Sequence, residues 1–354
     1  MDPATLIPSP EAIPLTANWL RWLLLITFLL HLLAMNLLLG GSIMALAHSL
    51  KGAPGPGLDH DIALKLPYTL AFTVNLGVPP FLFLQLLYGQ FIYTSSVLMA
   101  AWWMWLFLVV MAAYYAAYVY DFKFAALGRA RVLVIGLAVA CLLFAAFLLT
   151  NNSTLMLSPA TWAAHLDHPS GGLLNWGEPS LWPRYLHFVL GSLAVAGLGL
   201  ALWGRWQQGH GQARGQDLTR QGLAWFSVVT LAQLAGGAWF LLALPAPIMR
   251  LFIGADLGYT LTLWAGVAAA LAALLLARGR RPLGAALALL AALALMVITR
   301  DQLRQAFLSP YFSIQQLPVE PQYGPALMFA VCLGLGLAAL AWLLKIAAQA
   351  RRES

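Results

Sequence analysis

The strongest constraint on this chain is a series of apolar stretches, each about as long as a bilayer is thick and each bounded by charges or by Gly/Pro clusters. A spanning helix needs about 20 mostly apolar residues. Cutting the sequence at its charge clusters gives nine such stretches, at roughly 18–48, 66–91, 97–119, 130–150, 184–204, 222–244, 258–277, 282–299 and 323–346. The fold class that follows is all-α, a polytopic integral membrane protein with about nine transmembrane helices. Composition agrees: 62% of the residues are hydrophobic and 9% charged, against about 45–50% and about 25% in soluble domains. Soluble globular, disordered and collagen-like chains are thereby excluded.

The formal charge of +7 would suggest nucleic acid in a soluble protein, but here its placement gives another use. With the amino terminus outside, alternate loops carry Lys51 and Lys65; Lys123, Arg129 and Arg131; Arg205, Arg214 and Arg220; Arg278, Arg280 and Arg281; and Lys345, Arg351 and Arg352. Fourteen of nineteen cations then share one side, leaving Arg21, Arg184, Arg250, Arg300 and Arg304 on the other. The positive-inside rule therefore predicts an outside N-terminus and an inside C-terminus, and no nucleic-acid partner. The chain reads as one membrane domain over 1–354: an exterior tail at 1–17, helices one to four within 18–150, an exterior loop at 151–183, helices five to nine within 184–346, and a cytoplasmic tail at 347–354. The first 17 residues lack a basic segment before Arg21, unlike a cleaved signal peptide. The loop at 151–183 is too short for a domain but long enough for a lid.

Polar groups at membrane depth are costly, so each needs a partner or a task. No Asp or Glu falls in a predicted helix interior: Asp59, Asp61, Asp121 and Asp217 read as inner-loop residues, and Asp256, Asp301 and Glu320 as outer ones. A carboxylate relay of the kind used by proton pumps is not visible. Three residues toward the outer half remain. His31 lies about 20 Å along the first helix at 1.5 Å per residue. His187 follows Arg184 at the mouth of the fifth helix, and Met249 lies just past the sixth. On their own merits the histidines are either hydrogen-bonded packing residues or ligands, and the methionine is either interfacial filler or a thioether ligand.

The remaining features read more plainly. Cys141 and Cys332 sit in apolar runs without a Cys-x-x-Cys-His motif, which excludes covalent c-type heme attachment and a zinc site. His48, His60 and His210 are expected on the solvated inner surface. His165 and His168 have metal-like spacing but no third ligand. Tyr114, Tyr115, Tyr118 and Tyr120, with Trp102, Trp103 and Trp105, are expected as aromatic belts of the third helix. The Gly77-Val-Pro-Pro80 segment predicts a break in the second helix, with carbonyls freed by the two prolines.

Taken in order, these features resemble subunit I of the cytochrome bd quinol oxidases over most of the chain. His31, in Leu-Leu-His-Leu-Leu-Ala-Met, falls where that family has its first-helix heme histidine. The segment Asn75 to Gly89 is similar to its second-helix Gly-rich segment. Asn152 to Met156 with Pro159 is similar to the Asn-x-Trp-Met-Gln-x-Pro loop, without the Trp. Arg184-Tyr-Leu-His187 matches the basic-x-x-His that supplies the ligand of the low-spin heme b. Asp301-Gln-Leu-Arg304-Gln305 is similar to Glu-x-Gly-Arg-Gln-Pro-Trp before the last helix, with Asp in place of a heme-ligating Glu.

The departures carry as much information. Residues 97–119 hold none of the glutamates that serve oxygen chemistry in that family. Its large loop between helices six and seven shrinks to roughly 245–257. Its Met ligand is missing from 258–277, leaving Met249 as the nearest substitute and Met296 and Met328 as rivals. The resemblance thus implies a bd subunit I-like bundle in a bacterial or archaeal cytoplasmic (inner) membrane. Its cofactor would be one or two non-covalent hemes b, its substrate a quinone or quinol. His31 and His187 would be iron ligands, with Met249, Arg184, Asp301 and Arg304 in cofactor contact. The function implied is a b-type cytochrome subunit of a quinol/quinone oxidoreductase complex. It would pass electrons between the quinone pool and an exterior multiheme or iron–sulfur partner, and would not itself reduce oxygen. Two alternatives stand beside it: a heme-free structural anchor of a respiratory complex, and a quinol oxidase with altered proton delivery.

Overall fold

The computed structural model describes residues 3–52, 57–166 and 170–353. Among them the fold is all-helical, with nine helices long and apolar enough to cross a membrane. They are α1 (Ala17–Leu50), α2 (Leu66–Leu98), α3 (Ala100–Phe122), α4 (Arg131–Met156), α5 (Leu181–Gly209), α6 (Gly215–Leu242), α7 (Leu257–Arg278), α8 (Pro282–Leu308) and α9 (Tyr323–Glu353). Their Leu- and Ala-rich interiors need little capping, and the boundaries follow local chemistry. Pro282 opens α8 at a position whose N–H would be unpaired anyway. The Asp256 carboxylate accepts the Tyr259 N–H at 3.0 Å as the N-cap of α7.

Helices α1–α4 pack as one group and α5–α8 as another, joined mainly where α1 crosses α5. Gly40 permits that crossing, because a Cβ there would run into the Ser192 carbonyl oxygen. The closest seam lies between α5 and α6. A Cβ on Gly204 would stand 2.7 Å from Gly215 O, and one on Gly197 2.8 Å from Phe226 N. Gly222 faces Ala201 N and Gly197 O in the same way. These obstacles are backbone atoms, which cannot rotate aside. Gly222→Val is therefore expected to destabilise the protein by about 3 kcal/mol, read as an earlier thermal unfolding in detergent. Gly334→Val on α9, where nothing lies within 4 Å, should leave the transition in place.

Several boundaries differ from the sequence expectation. Helix α8 continues past residue 299 to Leu308, so Asp301 lies inside a long helix and is fully buried, not in an outer loop. Asp59 is also fully buried, on the short helix Leu58–Ala63. Helix α4 runs to Met156 and takes in Asn151 and Asn152, and the short helix Pro159–Leu166 follows. Most of the expected 151–183 loop is thus helix or anchored backbone. Trp162 is fully buried, Gly171 O accepts Ala101 N–H at 2.9 Å, and Leu173 N–H bonds Leu98 O at 3.1 Å. Asn175 N–H bonds the Asn151 side chain at 3.0 Å. Helix α2 runs unbroken through Pro79 and Pro80, and its departure from helical angles falls instead at Tyr88 (φ −137°, ψ 31°). Spanning helices accommodate proline when neighbours satisfy the freed carbonyls. The tail is ordered from Pro3: Ile13 is buried and pairs with Val319. Helix α9 packs on neither group, and none of its core window is buried.

The two ends of the bundle differ chemically. One end gathers the N-terminal tail and the connections after α2, α4, α6 and α8. At the opposite end Asp59 lies 3.0 Å from His48 Nδ1 and 3.5 Å from Arg131 Nε. Ser49 donates to Asp59 at 3.1 Å and stands 3.0 Å from the Tyr120 hydroxyl. His48 is therefore paired with a buried acid, and Tyr120 is a core residue, correcting the surface and belt expectations for these two. His60 packs edge-on against Phe124 at 4.8 Å, and His210 is exposed, bonded to Trp206 O at 2.9 Å. His168 lies outside the described residues.

Candidate functional site

His31, His187 and Met249, the candidate ligands, lie on α1, α5 and the short helix after α6. His31 sits midway in α1 with its edge against α2. Its Nδ1 lies 3.0 Å from Thr73 O, which fixes the neutral ring with hydrogen on Nδ1 and leaves Nε2 as the free lone pair. A second-shell carbonyl in this role is the usual means of orienting an imidazole toward a metal. Gly77 makes the approach possible, since a Cβ there would stand 3.0 Å from His31 Cε1.

His187 lies near the start of α5 and faces α6. Its Nδ1 is buried without a hydrogen-bond partner, an orphan that a folded protein does not keep without cause. Gly237 provides the space on α6, where a Cβ would stand 3.2 Å from His187 Cε1. Phe240 follows one turn later, its ring 6.2 Å from the imidazole, and its other neighbours connect to Met249. Phe240 and Met249 both pack on the apolar cluster of Leu244, Phe252 and Leu303. Met249 itself is carried by the short helix Ala246–Arg250. Of the rival methionines, Met296 is pressed on Gly266 of α7, and Met328 is exposed on α9.

Around the two histidines stands a group of arginines that exceeds its counter-charges. Asp301 accepts from Arg21 Nε at 2.6 Å, from Arg304 at 3.1 Å and from Gln305 at 2.7 Å. Both carboxylate oxygens are engaged, Oδ2 tying α8 to Arg21 of α1 and Oδ1 bonding Arg304 within α8. Arg184 is buried with its Nε unpartnered and its guanidinium 5.1 Å from the Phe240 ring. Arg300, passed over in the sequence as a helix-end charge, is the residue that joins the two histidine neighbourhoods. Its guanidinium lies 4.9 Å from the Phe28 ring on α1 and 5.1 Å from the Phe188 ring on α5. Phe28 stands 6.4 Å from His31, and Phe188 follows His187 in the chain. Among the described residues Arg300 has no carboxylate partner, only a 3.4 Å bond to Ser153 Oγ. The signal that could have revealed it was the spacing: Arg300 lies one helical turn before Arg304, on the same helix as the acid that Arg304 holds.

The site thus presents two imidazoles, each with a nitrogen unbound by protein, glycines beside both rings, and in Arg300 a guanidinium without a carboxylate partner among the described residues. Imidazole nitrogens can ligate a metal and guanidiniums can bind anionic groups. No family model matches this chain, and no curated protein matches it either.

Proposed function

We propose that the chain is a membrane b-type cytochrome of the bd subunit I kind, a subunit of a quinone-linked electron-transfer complex that does not itself reduce oxygen. The observation that carries this reading is the pair of partly buried histidines, one on each four-helix group, at the end where Arg300 has no carboxylate partner among the described residues. His187 would hold a low-spin heme b, with Met249 as the candidate second ligand, and His31 would hold another heme. Bound heme supplies one-electron chemistry, its potential set by axial ligands and surroundings. The arginines would bind its propionates by charge-assisted hydrogen bonds. Asp301 orients two of the arginines, and Gly77 and Gly237 keep side chains clear of the imidazoles.

Loop cations support an outside N-terminus; on this reading the end would face the exterior of a bacterial or archaeal inner membrane, toward a multiheme or iron–sulfur partner. The lack of glutamates in α3, whose one acid is Asp121 at its last turn, supports a role in electron passage, because reduction of oxygen to water consumes protons that positioned acids deliver. A reduced-minus-oxidised spectrum with pyridine hemochrome quantification on the purified chain is expected to show one or two hemes b. Their absence would overturn the reading and leave a heme-free anchor subunit in its place.

A further inference from the structure

A second chamber lies beside the arginine cluster, between α2, the start of α7 and the end of α8. It is a cavity of about 180 Å³, large enough for one substituted ring and too small for a porphyrin or a phospholipid. No charged side chain lines it, so a neutral occupant is favoured.

Its polar groups define what that occupant must carry. Tyr88 is 1% exposed and lines this space. The Arg304 guanidinium beside it can donate only to the phenol oxygen, and the buried hydroxyl hydrogen has no protein acceptor. It requires an oxygen acceptor. Gln305 gives its amide N–H to Asp301 and keeps its carbonyl oxygen for a donor. The Ser309 hydroxyl hydrogen goes to Ala306 O and that of Ser313 to Gln315 Oε1, leaving acceptor lone pairs on each. Phe312, whose ring is 6.1 Å from that of Tyr88, adds an aromatic face. The chamber thus offers one strong donor, several acceptors and an aromatic wall. The position of Tyr88 is a built feature, because α2 leaves helical angles at this residue alone. Its ring also lies 5.0 Å from the Arg304 guanidinium, so the chamber shares a wall with the candidate heme site.

We infer that this cavity is the binding site for a quinone or quinol head group. The inference rests on the quinone-linked reading above and adds the place, which neither the 151–183 segment nor the α6–α7 connection had supplied. A ring with hydroxyl or carbonyl oxygens meets the Tyr88 donor in either redox state, and in its quinol form also meets the Gln305 acceptor.

The test is photolabelling of the whole protein in phosphatidylcholine nanodiscs with an azido-substituted naphthoquinone, followed by peptide mapping and competition with unlabelled menadione. Competable labelling on the segments bearing Tyr88, Tyr259 or residues 305–314 is expected. Tyr88→Phe should reduce it about fivefold, the loss of one hydrogen bond of about 1 kcal/mol. Ser309→Phe, which fills the chamber from a partly open side, should abolish it. Competable labelling confined to other segments, no competable labelling, or labelling indifferent to both variants would overturn the site. A heme spectrum on the same sample separates the two claims. Labelling here without heme keeps the site and removes the cytochrome reading, whereas heme with no competable labelling here removes the site alone.

Discussion

On the proposed cytochrome reading, His187→Ala is expected to yield a folded protein without a low-spin heme b signal. The imidazole contributes no hydrogen bond to the fold, since its buried Nδ1 has no protein partner, so its removal should cost the bundle only packing. Gly237→Leu provides an independent route to the same loss. A Cβ at 237 would stand 3.2 Å from the His187 ring, and a leucine there would occupy the space beside it without altering the ligand. His31→Ala should remove a different component of the spectrum, because its Thr73 bond and Gly77 contact belong to the other helix group. Reduced-minus-oxidised spectra of the three variants and of the double histidine variant check this. Full absorbance in the double variant would mean that any heme is held elsewhere.

Asp301→Ala is expected to be the most destabilising single substitution in the chain. The carboxylate is fully buried and, among the described residues, is the only acid paired with Arg21 and Arg304, whose side chains are 28% and 12% exposed. Removing one partner of a buried pair costs about 3–5 kcal/mol, mostly from the charge left behind. The cluster should therefore fail before the helices do, seen as an early thermal transition in detergent. Arg21→Met combined with Asp301→Ala should be milder than the sum of the single changes, because the members of one network couple. Additive losses would mean that the Arg21 contact contributes nothing.

The number of spans was legible because the bilayer sets a length and the chain meets it nine times. The ends were not, and the reason is visible in α8. Charges mark a loop in the sequence reading, yet Asp301 is paired with Arg304 on the same helix and with Arg21 of α1, so the span runs on to Leu308. For the same reason Asp59 was assigned to solvent, when it binds together the opposite end. His31 and His187 could be chosen from sequence because lone histidines at membrane depth are rare. For Arg300 the sequence offers only its one-turn spacing from Arg304; its contacts with Phe28 and Phe188 come from two other helices. The unwinding of α2 at Tyr88 has no local signal, and the adjacent prolines pointed elsewhere.

The surplus of guanidiniums has one further meaning. Arg21 and Arg304 share Asp301, Arg184 has Glu178 in range, and Arg300 has no carboxylate partner among the described residues. At an effective dielectric of about 20, a negative charge about 8 Å from one unpaired guanidinium is favoured by about 2 kcal/mol. This end of the molecule is accordingly a standing well of positive potential. Any centre seated there holds an added electron more firmly than the same centre in bare lipid, so the fold sets a direction for charge before any partner arrives.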